Sequence, residues 1–243
     1  LPTNGALTLH SDGAFSYTPS ANFSGTDRFT YAAADSLQQG DIATVTLQVN
    51  GTAGERVREG IVALYDFSEG MGLTVHDTSE YGTSLDLTIA NDSSVEWISG
   101  GGLKVHSPTA IHSTGSASKI SNALENSGEI TLEAWVTPAN ASQYGPARII
   151  ALSGDAYPTG GNFVLGAGVS SKKTATYDVR LRTTATNQYG IPALTSVNGA
   201  LTTALTHVVY TKSIAGETKL YLNGTRVATA SLSGNFSNWY HII

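Results

Sequence analysis

Asn223-Gly224 sits between two runs of alternating apolar residues, in THVVYTKSIAGETKLYLNGTRVATA (residues 206–230), and leaves this stretch little alternative to a β-hairpin. A two-residue type I′ turn needs φ > 0 at both central positions, which Asn and Gly tolerate. The turn is expected to pair Leu222 with Thr225, Tyr221 with Arg226, Leu220 with Val227 and Lys219 with Ala228. Opposite residues share a face, so Leu220, Leu222 and Val227 fall on one side and Lys219, Tyr221 and Arg226 on the other. A slip of one residue would carry the apolar set into water, so the register is well determined. Upstream, residues 213–217 contain Gly216 and make a second turn, leading back to a strand through Val208, Val209 and Tyr210. The result is an antiparallel meander with one solvated face, which specifies a β-sandwich and carries no chemistry of its own.

Composition agrees with a turn-rich, weakly charged all-β chain. It has 26 Gly in 243 residues and 13% charged residues, against about 25% in an average globular domain. That length accommodates one large all-β domain, alone or with a smaller one. A net charge of −6 with no basic stripe argues against nucleic acid or an anionic membrane surface as partner. The absence of Cys removes disulfide scaffolds, thiolate metal sites and cysteine nucleophiles. No apolar run approaches the roughly 20 residues of a membrane helix, so no membrane insertion is expected within this stretch. With Met71 as its only methionine and no signal peptide, the chain reads as a fragment of something longer.

Toward the N-terminus, LTLHSDGAFSY (residues 7–17) is a second hairpin that selects its own turn. A two-residue Asp12-Gly13 loop would mix the faces. A three-residue loop with Gly13 in the left-handed region sets Leu9 against Phe15 and Leu7 against Tyr17, and is the one expected. A strand with Phe29 and Tyr31 follows, then another over residues 42–49. Four strands in about 50 residues are too few to close a sandwich alone. GALTLHSDGAFSYTPSANFSGTDRFTYAAAD and IATVTLQVN, in their DG-x-F-x-Y-TP and NF-x-G-x-D-x-F-x-Y spacing, resemble the C-terminal half of a bacterial cadherin-like or immunoglobulin-like repeat. The resemblance implies an extracellular spacer in which Tyr17-Thr18-Pro19 ends a strand and Asp27 opens the next.

Residues 50–60, NGTAGERVREG, mix Gly with charge and show no periodicity, as a linker does. Beyond them IVALYDFSE reads as a strand, EITLEAWVTP as the clearest strand, and residues 148–153, 162–165 and 177–183 as further strands. SKISNALE (residues 118–125) is the one short helix expected. The segments GIVALYDFSEG, EITLEAWVTP, ARIIALSGD, YDVRLRTT and LTHVVYT with KLYLNGTRVA resemble, in order, the laminin G-like, concanavalin A-like jelly-roll family. The expected fold is therefore all-β: part of a cadherin-like repeat over 1–52, a linker over 53–59, and an antiparallel laminin G-like jelly-roll sandwich over 60–243, incomplete at its C-terminus.

Motifs that carry chemistry are missing. There is no G-x-S-x-G elbow, H-E-x-x-H, EF-hand loop or P-loop, and Gly100-Gly101-Gly102 precedes a strand rather than a helix. Glucan-cleaving relatives of the fold place two carboxylates about 5 to 5.5 Å apart, and no E-x-D-x-x-E run occurs here. No enzyme is expected. The six His show no metal-ligand spacing. Calcium (Ca2+) is the one cofactor to consider, since laminin G-like domains often carry it at the rim of the sandwich and hard cations favour oxygen-rich loops. The candidates are Asp77 and Asp155, with Asn162 behind Asp155; the alternative is that these Asp cap turns through their own backbone.

For a ligand, alternation in EITLEAWVTP turns Ile130, Leu132, Ala134 and Val136 inward and Glu133 and Trp135 outward. In YDVRLRTT it turns Val179 and Leu181 inward and Asp178, Arg180 and Arg182 outward. If the two strands share a sheet, Trp135, Glu133, Arg180 and Arg182 form one wet face suited to sugars or acidic groups. A plain Glu133 to Arg180 cross-strand pair is the alternative. The resemblance implies a non-catalytic recognition or adhesion module, outside the cell or on its surface, that binds glycan or an extracellular protein. Stalk units, or an accessory module of a glycan-degrading enzyme, are the competing roles.

Overall fold

The computed structural model describes residues 2–10, 12–20, 25–32, 40–49, 58–153, 160–169 and 172–239. The chain divides into two compact units, Leu1–Ile61 and Val62–Ile243.

The first unit holds β1 (Gly5–Leu9), β2 (Phe15–Pro19), β3 (Gly25–Tyr31) and β4 (Ala43–Val49), as two antiparallel two-stranded sheets, β1-β2 and β3-β4. Leu9 pairs with Phe15 and Leu7 with Tyr17. Gly13 has φ 86°, so the three-residue turn is the one used. Phe15 meets Phe29 edge-on at 5.1 Å. The buried Asp27 ties the unit together, because its carboxylate accepts the N–H groups of Thr3, Asn4 and Arg28 and the Tyr17 hydroxyl. Burial opposes its ionisation, yet these donors outweigh burial and hold the carboxyl at about 2. Desolvation, with the same carboxylate nearby, pushes the Tyr17 phenol up to about 12. Asp27→Ala should therefore raise hydrogen exchange of the β1 and β2 amides by about tenfold or more; unchanged exchange would show that other contacts fix these strands.

The second unit begins irregularly. Residues 61–69, expected as a strand, form none, because Phe67 adopts φ 53° and the flanking groups bond to loops instead. Leu64 N–H donates to Asp77, Thr78 N–H to Leu64 C=O, and Gly102 N–H to Phe67 C=O. Short strands follow: β5 (Thr74–Val75), β6 (Leu87–Ile89), β7 (Val95–Trp97), β8 (Leu103–Val105) and β9 (Ile111–Ser113). The helix α1 (Ser118–Ser127) buries Leu124 and ends at Gly128, whose φ of 71° lets its N–H reach Leu124 C=O.

The remaining strands build the sandwich. These are β10 (Ile130–Val136), β11 (Gln143–Tyr144), β12 (Ala147–Leu152), β13 (Phe163–Val169), β14 (Lys172–Leu181), β15 (Leu194–Thr195), β16 (Thr206–Lys212), β17 (Glu217–Leu222) and β18 (Thr225–Ser231). One sheet runs β10-β16-β17-β18; the other runs β11-β14-β13-β12, with β15 also on β14. All pairings are antiparallel, as a jelly-roll sandwich requires. Ile130, Leu132, Val208, Tyr210 and Leu220 from the first sheet share one core with Phe163, Leu165, Tyr177, Val179 and Leu181 from the second. Each such side chain contributes about 1.5–3 kcal/mol by leaving water.

Asn223 and Gly224 take φ 50° and 78°, which is the I′ turn. Leu222 pairs with Thr225 and Tyr221 with Arg226 as expected, but Leu220 then pairs with Ala228 and Lys219 with Thr229. A bulge at Val227 shifts the register by one. Val227 and Ala228 both pack against the core as a result, a placement that simple alternation does not foresee.

Candidate ligand-binding cleft

The outer face of the β11-β14-β13-β12 sheet floors a cleft of about 650 Å³. Cross-strand register places its side chains. Arg148, Gly166 and Asp178 stand in one row across β12, β13 and β14, and Ala151, Val164 and Arg180 in the next. Gly166 is buried, because Ala147 O and Pro146 occupy the space over it, 2.7 Å and 2.9 Å from where its Cβ would be, and Pro146 lines the cleft in its place. Tyr189 and Ile191, each 41% exposed, stand at the rim.

The rim is built in place. Asn187 Oδ1 accepts the N–H groups of Tyr189 and Ile191, and Gly161 N–H donates to Gln188 C=O. Gly190, with φ 66°, comes so close to β14 that a Cβ would lie 2.6 Å from Leu181 N. Beneath this loop, Thr184 N–H donates to Asn235 C=O, Thr183 Oγ1 to Ser233 C=O and Trp239 Nε1 to Arg182 C=O. A cleft whose walls are held in this way needs little ordering when a ligand enters.

On the floor, Arg180 Nε donates to Asp178 Oδ1 at 2.9 Å. Burial pushes the Asp178 carboxyl up, and the Arg180 guanidinium pulls it down. Alternation turns Asp178 and Arg180 outward as the sequence implied, but this face is not wet: Asp178 is 2% exposed, and the Arg180 side chain 14%. Arg182 lies past the end of β14, where its N–H donates to Asn162 C=O.

Trp135 and Glu133 lie elsewhere. They belong to β10, in the other sheet, so the single face expected for Trp135, Glu133, Arg180 and Arg182 does not form. Glu133 does not pair with Arg180; its Oε1 lies 2.9 Å from His207 Nε2. Trp135, 59% exposed, stacks on His207 with ring centroids 4.3 Å apart and 10° between planes. This is a cross-strand pair on an open sheet face.

Asp77, the first calcium candidate, has both carboxylate oxygens engaged by protein donors. Its Oδ1 accepts the N–H groups of Leu64 and Ser79, and its Oδ2 accepts Leu85 N–H and the Lys119 ammonium. Burial raises the carboxyl, but Lys119, Ser79 and the backbone donors overcome it and hold it at about 2. The bond from Ser79 is the turn cap, and the long-range bonds make Asp77 a hub. Asp155 lies outside the described residues. Asn162 is fully buried, with its N–H on Leu152 C=O. Among the described residues no three His, Cys, Asp or Glu gather as a metal site.

Arg148 and Tyr189 were not singled out by the sequence. Counting back in twos from the buried Leu152 puts Ile150 and Arg148 inside. A bulge between Arg148 and Ile150 reverses this, so that Ile149 and Ile150 both pack inward and Arg148 faces the cleft. No sequence signal marks that bulge.

Residues 112–242 match the family described as the concanavalin A-like lectin/glucanases superfamily. Residues 2–51 match the bacterial cadherin-like domain. Neither the curated proteins nor the solved structures contain a match to this chain.

Proposed function

Because this chain belongs to the concanavalin A-like lectin/glucanases superfamily and carries a bacterial cadherin-like domain beside it, we propose that it is a non-catalytic extracellular recognition module that binds glycan in the cleft over β12, β13 and β14. The observation that carries this reading is the preformed cleft of about 650 Å³, with an aromatic wall at Tyr189 and hydrogen-bonding side chains on its floor. An aromatic face takes the apolar side of a sugar ring, and fixed polar groups take its hydroxyls. Catalysis is not supported by the lining: among its described residues Asp178 is the only carboxylate, and glycoside cleavage ordinarily needs two. No helix among the described residues is long and apolar enough to cross a membrane.

Glycan-array binding by the whole chain tests the reading. Tyr189→Ala should then weaken binding of the recognised glycan by about tenfold, or about 1.4 kcal/mol, with the melt nearly unchanged because the ring is exposed. Trp135→Ala, on the other sheet, should leave that affinity as it was. The reverse pattern would move the site to the face around His207.

A further inference from the structure

Cations are scarce in this chain, with 13 Lys and Arg against 19 Asp and Glu. The described lining of the cleft nevertheless carries two arginines, Arg148 and Arg180, against one carboxylate. That carboxylate, Asp178, is buried and already accepts a hydrogen bond from Arg180 Nε at 2.9 Å. It orients the guanidinium and offsets one positive charge. Arg148 is different: it is exposed, and its side chain has no ion-pair or hydrogen-bond partner among the described residues.

Between Arg148 and Asp178 in register lies Gly166, buried under Pro146. Arg148 and Asp178 flank it in register on either side, so their backbones stand about 10 Å apart, two strand spacings. Arginine side chains reach across that gap. Over Gly166 itself the space is taken by Ala147 O and Pro146, so Pro146 supplies the uncharged surface there. The cleft therefore carries two guanidinium groups, Arg180 held by Asp178 and, one row away and two strands across, Arg148 unengaged. An uncharged sugar would leave Arg148 without a role there. A carboxylate or sulfate matches the planar fork of donors.

We propose that the cleft selects an acidic saccharide, a glycan carrying carboxylate or sulfate groups, and that Arg148 and Arg180 receive an anionic substituent there. This rests on the reading of the cleft as a glycan site and adds the charge of the ligand. Arg148 sets specificity, and Arg180 is the positioned partner.

The test is calorimetric titration of the whole chain with polygalacturonate, dextran sulfate, a panel of neutral polysaccharides including dextran, and polyglutamate. The expected result is binding of one or both acidic polysaccharides, weakened by added salt, with the neutral panel bound at least about tenfold more weakly. Whichever acidic polymer binds identifies carboxylate or sulfate as the group recognised. Arg148→Ala should lower that affinity by about tenfold, and Arg148→Lys, which keeps charge but not the fork, should fall between. Both variants should melt like the parent, since Arg148 is exposed. Neutral polysaccharides bound as tightly as acidic ones, with Arg148→Ala without effect, would overturn the inference and leave the glycan reading standing. Acidic polymers bound equally by parent and Arg148→Ala would also overturn it. Polyglutamate bound through Arg148 in place of any polysaccharide would make the ligand an acidic peptide. No binding of any polysaccharide, neutral or acidic, would remove the inference and the glycan reading together.

Discussion

Asp77→Ala should lower the stability of the second unit by about 3–5 kcal/mol, because it leaves the Lys119 ammonium nearly buried without its anion. The Asp77 side chain has no exposed surface and that of Lys119 is 9% exposed. The backbone N–H groups of Leu64, Ser79 and Leu85 lose their acceptor at the same time. In a unit of this size the loss corresponds to a fall of roughly 10 °C in Tm. The double variant Asp77→Ala, Lys119→Met should recover part of it, since the stranded charge is gone. A double variant no more stable than Asp77→Ala would mean that the backbone bonds, and not the ion pair, carry the effect.

The same carboxyl gives the unit an acid limit. Its folded pKa of about 2 lies below the unfolded value of about 3.9. A depressed carboxyl stabilises fully above the unfolded value and loses that contribution as pH falls through the folded one. Stability should therefore decline between about pH 4 and pH 2, and Asp77→Asn should flatten this part of the profile.

Trp239→Ala should be comparably severe, costing about 3–5 kcal/mol. Trp239 is 4% exposed and packs against Phe236 at 4.7 Å and Phe163 at 6.0 Å. Its indole N–H donates to Arg182 C=O at 2.6 Å, so the segment through Phe236 and Trp239 clamps residues 182–184, where the rim loop of the cleft begins. The variant should lose glycan affinity as well as stability. Trp239→Phe should keep most of the packing and lose the hydrogen bond, at about 1–3 kcal/mol. A melt of Trp239→Ala within a degree or two of the parent would show that the clamp holds without its ring.

The cleft was only partly legible beforehand. Val179 and Leu181 inward, with Asp178 and Arg180 outward, follow from the period of two along a strand. What covers the outward face does not follow, because the rim loop of the cleft is placed by Asn187, Gly190 and Trp239, which are remote in sequence or silent in pattern. Asp77 was legible as a turn residue through Ser79, two positions on. Its partnership with Lys119 spans 42 positions and leaves no periodic trace.

Local backbone chemistry determined what the sequence could determine. Asn223-Gly224 and Gly13 supply positive φ where hairpins demand it, and alternating apolar residues select the buried face, as Ile130 and Leu132 do on β10. These choices involve neighbours in the chain, so the chain alone states them. Tertiary structure decided the rest: that β10 and β14 lie in opposite sheets, separating Trp135 from Arg180, and that bulges at Val227 and beside Arg148 reverse the faces beyond them. Each depends on which distant strand supplies the partner groups, and an alternating pattern is the same whichever sheet receives it.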